Sequence, residues 1–587
     1  MPQDFINQLN EQQKKAVLNI KGPSVILAGA GSGKTRVLVY KVLNLIKNHK
    51  ISPLEIVMIT FTNKAANEMK ERIGLKKLGY IGTFHSFCCQ ILRRECHNLG
   101  IDNDFIIFDE DDQISLLKKI LKIINQKKLT PYYFIHRISA AKNQLITPKR
   151  YLEIFSDHNS SIVAEVYEKY QQEIRKNKAL DFDDLIVETV NLFFNYKDIL
   201  EKYQEKYRYL LVDEFQDTNF IQHLLTKLLA EKYRNITAVG DFSQSIYSWR
   251  GADMRNLEKF QQDFPEAKIF YLEQNYRSSQ TILDFAYRVI AKNTTHPILN
   301  LFTGNRLGET IEFYEAEDEE EEAIYIANRV LESGIYGSFA VLYRTNAQSR
   351  VIEEAFLHYS IPYILIGGTR FYERKEVKDI LSYLRLVENP NDEVARDRIQ
   401  KLGKKRWGEF KSLYSKSASS LRSRSTIELM EEIFTRTHYL DFYNPDLEED
   451  YARLENIKEL KSVAMNFPNL SKFLEQVALV ESEYFAGEKN RHFGGNGKDN
   501  RVKLMTLHQA KGLEFPTVFI SGVEEGILPH SRSIDDLFSL EEERRLFYVG
   551  ITRAKEKLYI TYTRGRMIWG RRGTTLKSRF LEDENYY

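Results

Sequence analysis

The sequence predicts an α/β protein with two parallel-sheet cores, each carrying a mainly helical insertion. Three observations lead to this prediction. The chain has 587 residues, more than one hydrophobic core usually holds. Short apolar runs typical of buried strands recur along it, and stretches of helical periodicity separate them. The runs form an early group at Val25–Leu27, Ile56–Thr60, Tyr209–Val212 and Ile236–Val239, and a late group at Phe339–Tyr343, Thr517–Ile520 and Leu558–Thr561.

The two helical stretches interrupt the cores, so we expect each core to be discontinuous in sequence. The predicted domains are 1–95 and 196–275 for the first core, 96–195 for its insertion, 276–384 and 499–587 for the second core, and 385–498 for a shorter second insertion. Near the end of that second insertion, Gly494–Gly497 predicts a hinge where the chain rejoins its core.

The first apolar run leads into a glycine-rich loop that predicts a nucleotide site. Glycines allow backbone N–H groups to surround a polyphosphate at the positive end of the following helix. Lys34 is expected to reach the β- and γ-phosphates, and the Thr35 hydroxyl to bind Mg²⁺. We therefore predict ATP and Mg²⁺ as cofactors, with a loop formed by Ala28, Gly29, Ala30, Gly31, Ser32, Gly33, Lys34, Thr35 and Arg36.

Two later strand ends carry polar side chains that suit the same chemistry. Asp213 and Glu214 follow Tyr209–Val212 directly. An acidic residue at this position can hold Mg²⁺ while its neighbour polarises the attacking water. We assign Asp213 to the metal and Glu214 to the general base. The next strand end leads to Gln244 and then to Tyr247-Ser248-Trp249-Arg250, two aromatic rings and an arginine within one short segment.

Composition excludes several other classes of protein. No apolar run approaches the ~18 residues of a membrane span, and the first residues lack the pattern of a signal peptide. The net charge of +2 neither favours nor excludes nucleic acid. Cys88, Cys89 and Cys96 lack the spacing of metal ligands, so we expect reduced thiols in a cytoplasmic protein.

Two acidic clusters have structural interpretations. The run Glu317–Glu322 is expected to open a helix, because acidic residues suit the first turn. Asp181, Asp183 and Asp184 could indicate a metal site, but we favour a helix cap with a solvated face.

These motifs, in this order, resemble superfamily 1A DNA helicases of the UvrD/Rep/PcrA group over about residues 5–580. The resemblance implies RecA-like cores. Beyond the phosphate loop and the acidic loop, it rests on Leu9–Val17, Thr60–Ala66, Gly82–Ser86, Leu272–Ser278, Val502–Phe515 and Phe547–Ala554.

The resemblance implies how ATP is held. Gln13 would read the adenine, Tyr276 would stack on it, and Glu514 would hold the ribose. Arg277 and Arg553 would approach the γ-phosphate, and Gln244 would sense its loss. Because Lys34 and Asp213 lie in the first core and the arginines in the second, we expect core closure to complete the site and core separation to follow hydrolysis.

The resemblance also implies a track for single-stranded DNA, which needs aromatic platforms and polar groups for the backbone. Trp249 is the strongest candidate for stacking on a base. Trp569, set among arginines and glycines in a predicted β-hairpin, is a candidate pin at the duplex junction, with packing in the second core as the alternative. The predicted DNA contacts are Phe61, Thr62, Asn63, His85, Phe182, Tyr247, Trp249, Arg250, Asn346, Arg370, His530 and Trp569.

The sequence therefore predicts an ATP- and Mg²⁺-dependent DNA helicase with 3′→5′ polarity, acting on single strands and single-strand/duplex junctions in DNA repair or replication. We expect a monomer or weak dimer that does not bind membranes; no protein partner is predicted. Lys404–Gly408 stands where the family carries a Gly-Ile-Gly turn that contacts duplex. The alternative is a translocase that displaces proteins and unwinds poorly, which the short second insertion would explain. A DNA-binding scaffold with a vestigial ATP site is a further alternative, opposed by the intact set of ATP residues.

Overall fold

The computed structural model describes residues 5–74, 78–126, 128–422, 424–489, 500–568 and 571–581. The chain forms two compact units. Unit 1 comprises Met1–Tyr276 and His296–Gly304, and unit 2 comprises Arg277–Thr295 and Asn305–Tyr587. The chain thus returns to unit 1 over His296–Gly304, within the range predicted for the second core.

Unit 1 contains a six-stranded parallel sheet of order β3-β2-β6-β7-β1-β8. Two small parallel pairs, β4 with β5 and β9 with β10, accompany it. The strands are β1 (Ser24–Ala28), β2 (Ile56–Thr60), β3 (Tyr80–Thr83), β4 (Ile106–Phe108), β5 (Ala179–Asp181), β6 (Tyr209–Val212), β7 (Ile236–Gly240), β8 (Lys268–Leu272), β9 (Gln274–Asn275) and β10 (Phe302–Thr303).

Helices cover the sheet of unit 1 and form its insertion. They are α1 (Glu11–Leu18), α2 (Lys34–Lys47), α3 (Asn63–Ile73), α4 (Phe84–Glu95), α5 (Glu110–Ile123), α6 (Pro131–Asn143), α7 (Pro148–Ile154), α8 (Ser160–Lys176), α9 (Phe182–Asn195), α10 (Lys197–Lys206), α11 (Phe220–Ala230) and α12 (Asn256–Asp263).

The central strands of unit 1 are apolar on both faces because helices bury both faces of the sheet. Val25 and Leu27 pack in one core cluster with residues of α4, α9 and α11. Ile26 and Ala28 pack in another with residues of α1, α2 and α3. Alternate residues of a strand point to opposite faces, so an unbroken apolar run is what this position requires. Helices α5–α8 have a separate apolar cluster that includes Phe134.

Unit 2 contains a second six-stranded parallel sheet, of order β11-β16-β15-β12-β14-β13. An antiparallel hairpin, β17 with β18, follows its last strand. The strands are β11 (Glu312–Ala316), β12 (Phe339–Tyr343), β13 (Tyr363–Leu365), β14 (Val502–Thr506), β15 (Phe515–Ile520), β16 (Ala554–Thr563), β17 (Gly565–Ile568) and β18 (Arg571–Thr574).

The helices of unit 2 include a group, α16–α21, whose apolar side chains form a cluster of their own. The helices are α13 (Gln280–Ile290), α14 (Glu319–Ser333), α15 (Ser349–His358), α16 (Lys375–Glu388), α17 (Glu393–Lys401), α18 (Lys404–Arg422), α19 (Thr426–Thr437), α20 (Glu448–Asn466), α21 (Leu470–Lys489) and α22 (Leu537–Ile551).

The predicted fold class is confirmed, since each group of apolar runs lies in its own parallel sheet. The acidic run opens α14, where the side chain of Asp318 caps the helix by accepting from the Glu321 N–H. Lys404–Gly408 forms the start of α18. Gly494–Gly497 lies outside the described residues. Among the described residues, no helix combines the length and apolar character that crossing a membrane requires.

Candidate active site and nucleic-acid interface

The phosphate loop connects β1 to α2 and takes a conformation that only glycine adopts easily. Gly31 and Gly33 have φ angles of 65° and 85°, in the left-handed region. A Cβ at Gly29 would lie 2.3 Å from the side chain of Leu301. The Ser32 hydroxyl donates to the Gly29 carbonyl at 2.8 Å. The loop is thus folded as predicted for a phosphate cradle at the N-terminus of α2.

Residues Asp213–Asn219, which we call the carboxylate loop, follow β6. The Lys34 ammonium donates to Oε2 of Glu214 at 3.1 Å, and the Gln216 amide donates to the same oxygen at 2.6 Å. Glu214 has a φ angle of 50°, a left-handed conformation that costs about 1–3 kcal/mol outside glycine and occurs often at functional sites. The structure therefore brings together the predicted phosphate-binding lysine and the predicted base.

Burial and charge shift the pKa values of this cluster. Burial, followed by the charge of Glu214, raises the pKa of Asp213 to about 7. Burial works against the charge of Lys34, but the carboxylates of Glu214, Asp241 and Asp213 outweigh it and raise the lysine pKa. Burial also raises the pKa of Asp241. Three carboxylates around one ammonium make this a place where an additional cation is stabilised.

Asp213 fits the predicted role of a Mg²⁺ ligand. Its side chain is buried, and its Oδ1 has no hydrogen-bond partner in the structure. The described residues contain no group of three or more His, Cys, Asp or Glu side chains arranged to hold a metal. Mg²⁺ in nucleotide sites does not need such a group, because one or two protein oxygens and the phosphates suffice.

A hydrogen-bonded series connects Gln244 to Glu214. The Gln244 amide donates to Oδ2 of Asp241 at 2.6 Å. The backbone N–H of Asp241 donates to Oε1 of Gln216 at 3.1 Å, and Gln216 in turn contacts Glu214. Gln244 is buried, so a change at its amide reaches the predicted base through two neighbours.

Tyr276 lies beside the phosphate loop with its ring partly open to solvent. Its backbone N–H donates to the Gly31 carbonyl at 3.0 Å. Its hydroxyl donates to Gln274 at 3.1 Å and accepts from Asn10 at 2.8 Å. The side chain is 46% exposed, which leaves a face on which a base could stack.

Gln13 and Arg36, also predicted to contact the nucleotide, are held by protein groups. The Gln13 amide is buried and donates to the Ser32 carbonyl at 2.9 Å. Arg36 donates to the Gln8 carbonyl at 3.0 Å and lies over the ring of Tyr40. Gln13 thus contacts the backbone of the phosphate loop, a contact that the sequence did not predict.

The ATP residues predicted in unit 2 form a charged group. Arg277 donates to Oε2 of Glu514 at 2.7 Å, and the Lys555 ammonium lies 2.7 Å from the other carboxylate oxygen. Arg553 is 1% exposed. Its guanidinium donates to the carbonyls of Val549 at 2.9 Å and Leu513 at 3.2 Å, which fixes its orientation.

A groove of about 920 Å³ lies in unit 1 and holds several predicted DNA contacts. Phe61, His85 and Trp249 line it. Tyr247 stacks on Phe61 with ring centroids 5.9 Å apart, and Trp249 meets Tyr247 edge to face. Trp249 is 45% exposed. We call this cavity the unit 1 groove; its lining comes from 60–61, 83–85, 136–144, 183, 217–222 and 248–259.

The remaining residues of unit 1 that are predicted to contact DNA differ in their solvent exposure. Phe182 is half exposed and packs edge to face on His85. Asn63 is exposed at the start of α3. Thr62 caps that helix, with its hydroxyl accepting from the Ala65 N–H at 3.2 Å. The side chain of Arg250 lies outside the described part of the structure.

The residues of unit 2 that are predicted to contact DNA are at most partly exposed to solvent where the structure describes them. Asn346 and Arg370 are partly exposed. His530 is 6% exposed, and its Nε2 lies 3.4 Å from Oε1 of Glu455. Helix α20 covers the ring, and the contact of His530 with DNA stays a prediction. Trp569 lies outside the described residues.

Residues from α6 form part of the groove without any sequence signal for them. His136, Ser139 and Asn143 line the groove, as do Arg255 and Lys259 near α12. None belongs to a glycine-rich, aromatic or basic motif. They could not be found from sequence, because only folding brings α6 to this position.

The prediction of a solvated face at Asp181, Asp183 and Asp184 is wrong in part. Asp181 does cap α9 by accepting from the Asp184 N–H at 2.8 Å. Asp181 and Asp184 are buried, however, and the Lys142 ammonium lies 2.6 and 2.8 Å from their carboxylates. Burial, with the charge of Asp184 next, raises the pKa of Asp181 to about 6.

Comparison with known proteins agrees with this geometry. The UvrD/Rep helicase N-terminal domain matches residues 9–265, and the UvrD-like helicase C-terminal domain matches 270–443 and 404–565. A protein named ATP-dependent DNA helicase PcrA from Staphylococcus aureus is 41% identical over 641 aligned positions, covering 99% of this chain and 86% of the relative. A protein of the same name from Staphylococcus epidermidis is 41% identical over 640 positions, with the same coverage. With matching domains in both units and full-length similarity to these relatives, the chain belongs to the UvrD/Rep helicase family.

Proposed function

We propose that the protein is an ATP- and Mg²⁺-dependent DNA helicase that moves 3′→5′ along single-stranded DNA and unwinds duplex at single-strand/duplex junctions. One observation carries the proposal. The carboxylate loop contains Glu214, paired with Lys34 of the phosphate loop, and its residues Asp217 and Asn219 line the unit 1 groove. A single short loop thus contacts both Lys34 of the phosphate loop and the unit 1 groove.

Hydrolysis would use residues of unit 1. Lys34 binds the β- and γ-phosphates, and Glu214 accepts a proton from the attacking water. Thr35 and Asp213 would hold Mg²⁺, which when bound neutralises charge on the phosphate oxygens. Gln244 reports the state of the γ-phosphate through Asp241 and Gln216.

Residues of unit 2 are also proposed to contact the nucleotide. We propose that Arg277 and Arg553 stabilise the charge that develops on the γ-phosphate, and that Glu514 holds the ribose. Arg277 and Glu514 are ion-paired in the structure, so nucleotide binding would exchange that pair for contacts with ATP. Gln13 and Tyr276 would recognise the adenine, Tyr276 through its open face.

The DNA strand would bind in the unit 1 groove through stacking on Trp249 and Phe182 and through polar contacts to its backbone. Stacking tolerates any base, which suits a motor that moves along unrelated sequences. In unit 2, Asn346 and Arg370 would contact the strand.

The hairpin β17–β18 supports a role in strand separation. Arg566 of β17 is anchored by Glu322 and Glu524, with its guanidinium 2.7 and 2.8 Å from their carboxylates. We propose that Trp569, which lies between the two strands in sequence, stacks on the last base pair. The indole would then offset part of the unstacking free energy.

We further propose a domain arrangement in which 1–95 and 196–275 form the first motor core and 276–384 with 499–587 the second. The separate apolar clusters of α5–α8 and α16–α21 support insertions near 96–195 and 385–498. We place the protein in the cytoplasm, as a monomer or weak dimer acting in DNA repair or replication, consistent with its three free cysteines.

Strand displacement on tailed duplexes tests the proposal. With ATP and Mg²⁺, the protein should separate a duplex with a 3′ single-stranded tail and leave the 5′-tailed and blunt duplexes intact. Lys34→Ala serves as the inactive control. Equal activity on 5′-tailed duplex would contradict the polarity. DNA-stimulated phosphate release without strand displacement would identify a translocase, and absence of stimulated hydrolysis would overturn the proposal altogether.

A further inference from the structure

We propose that Asn143 is a positioning residue that couples DNA in the unit 1 groove to hydrolysis at the carboxylate loop. The inference rests on the proposed function, since it concerns how DNA stimulates ATP hydrolysis. Asn143 is the last residue of α6, in the helical insertion rather than in any of the motifs that carry the family resemblance.

Asn143 connects two elements that are far apart in sequence. Nδ2 of Asn219 donates to Oδ1 of Asn143 at 2.7 Å. Nδ2 of Asn143 donates to Oδ1 of Asp183 at 3.1 Å. All three residues line the unit 1 groove, so the series Asn219–Asn143–Asp183 crosses the groove between the carboxylate loop and α9.

The oxygen and the nitrogen of the Asn143 amide have different partners. An amide oxygen only accepts and an amide nitrogen only donates, so the contact with Asn219 requires the oxygen and the contact with Asp183 requires the nitrogen. The nitrogen also donates to the Ser139 carbonyl at 2.9 Å. With these partners the side chain has one favoured orientation, and a shift of either neighbour strains the other contact.

At the first end, Asn219 is the last residue of the carboxylate loop and is fixed by its neighbours. It caps α11, with its Oδ1 accepting from the Gln222 N–H at 3.0 Å. The preceding residue, Thr218, is held by Asn256, whose amide donates to the Thr218 carbonyl at 2.7 Å. Glu214 lies five positions before Asn219 on the same loop, so a displacement of Asn219 changes how Glu214 is held.

At the second end, Asp183 lies in the first turn of α9, next to Phe182. The start of this helix is fixed to α6 by Lys142, whose ammonium is 2.6 Å from Asp181 and 2.8 Å from Asp184. The adjacent residues Lys142 and Asn143 therefore have different structural roles. Lys142 joins α6 and α9 into one body, and Asn143 connects that body to the carboxylate loop.

With this arrangement, we expect DNA binding in the groove to change the position of Glu214. A strand that packs on Phe182 and His85, whose ring centroids are 5.9 Å apart, presses on the start of α9. Because α9 and α6 move together, the displacement reaches Asn219 through the Asn143 amide. The Asn219–Asn143 hydrogen bond then has two positions, with and without DNA, which is the bistable element that coupling between two sites requires.

Steady-state ATP hydrolysis, measured with and without single-stranded DNA, tests the inference. In Asn143→Ala, the ratio of DNA-saturated to DNA-free turnover should fall about fivefold or more, the range of typical coupling between sites. The DNA concentration that gives half of the maximal stimulation should change much less. Asn219→Ser, which keeps a capping oxygen but cannot reach Asn143, should show the same loss.

A reciprocal exchange separates this role from a purely structural one. Asn143→Asp keeps an accepting oxygen for Asn219 but places two carboxylates together and removes the contact with Asp183, so the stimulation ratio should fall. Asn143→Asp combined with Asp183→Asn restores a donor and an acceptor between positions 143 and 183 with the roles reversed. Recovery of the stimulation ratio in the combined variant supports the inference even if Asn143→Ala is unstable.

Three results would overturn it. Unchanged ratios in all variants would show that the amide does not couple the two sites. A rise in the half-stimulating DNA concentration at an unchanged maximal ratio would make Asn143 a direct DNA contact. Losses of DNA-free and DNA-stimulated turnover in step with a lowered melting temperature, without recovery in the combined variant, would make it structural. If wild type itself is not stimulated by DNA, the proposed function fails instead.

Discussion

The side chains of Lys34 and Glu214 are ion-paired, with Nζ of the lysine 3.1 Å from Oε2 of the glutamate. The residue predicted to bind phosphate thus neutralises the residue predicted to act as base. A γ-phosphate competes for the same ammonium, so nucleotide binding is expected to free the Glu214 carboxylate for the attacking water. We therefore expect Glu214 to be available as a base mainly when nucleotide is bound.

The first prediction concerns Glu214→Gln. The substitution keeps the size of the side chain and its contact with Gln216 but removes the basic oxygen. Turnover with DNA should fall about 10²–10⁴-fold, the usual contribution of a general base, while nucleotide and DNA binding persist. Phosphate release and nucleotide titration measure the two effects. Glu231→Gln, at an exposed position after α11, is the control; turnover near wild type in Glu214→Gln would remove the assignment.

The second prediction concerns Lys34→Ala. Loss of a charged donor to phosphate weakens binding by about 1.5–3 kcal/mol, so the dissociation constant for ATP should rise about ten- to a hundredfold. Turnover should fall as well, because the same ammonium stabilises the transferring phosphoryl group. Titration with a fluorescent nucleotide measures the first effect. Lys47→Ala, at the exposed end of the same helix, should bind normally, and an unchanged affinity in Lys34→Ala would exclude the phosphate contact.

The third prediction concerns Trp249→Ala. Loss of one stacked base should weaken single-strand binding by about 1–3 kcal/mol, and DNA stimulation of ATP hydrolysis should require more DNA. Fluorescence anisotropy with a labelled oligonucleotide measures the affinity. Phe194→Ala is a matched control, because Phe194 is similarly exposed, 51% against 45% for Trp249, but does not line the groove. A lowered melting temperature with unchanged DNA affinity would make Trp249 structural.

The fourth prediction concerns the buried Lys41 of α2. Its ammonium is 3.3 Å from the Ala16 carbonyl and 3.5 Å from the Ser24 hydroxyl. Burial lowers its pKa from 10.5 to about 7. The unfolded chain therefore binds this proton more tightly than the folded one, which destabilises the fold by about 1.4 kcal/mol for each unit of pKa difference.

Lys41→Met should raise the melting temperature most below pH 7, where the lysine is protonated in both states and the penalty is fully present. The advantage over wild type should shrink as the pH rises above 7 and vanish near pH 10.5, where the lysine is neutral in both states. Thermal unfolding of both proteins across this range measures the difference. Lys47→Met should show no such pH dependence, and a pH-independent difference for Lys41→Met would mean that the buried ammonium carries no penalty.

The sequence alone determined the fold class and allowed the residues around Lys34 and Asp213 to be proposed as an ATP site. The phosphate loop and the carboxylate loop each follow a buried strand directly, so strand, loop and helix N-terminus are all encoded within a dozen neighbouring residues. The strand at Tyr209–Val212 and the acidic pair after it could be predicted for this reason, and both lie where the prediction put them.

Tertiary structure alone decided what surrounds that cluster. Lys142 lies far in sequence from Asp181 and Asp184, and only packing of α6 on α9 turns three expected surface carboxylates into a buried pair and a groove residue. The covering of His530 by Glu455 is also a contact between distant segments. Burial is set by which elements pack together, so neither the groove wall nor the Asn219–Asn143–Asp183 series could be inferred from local pattern.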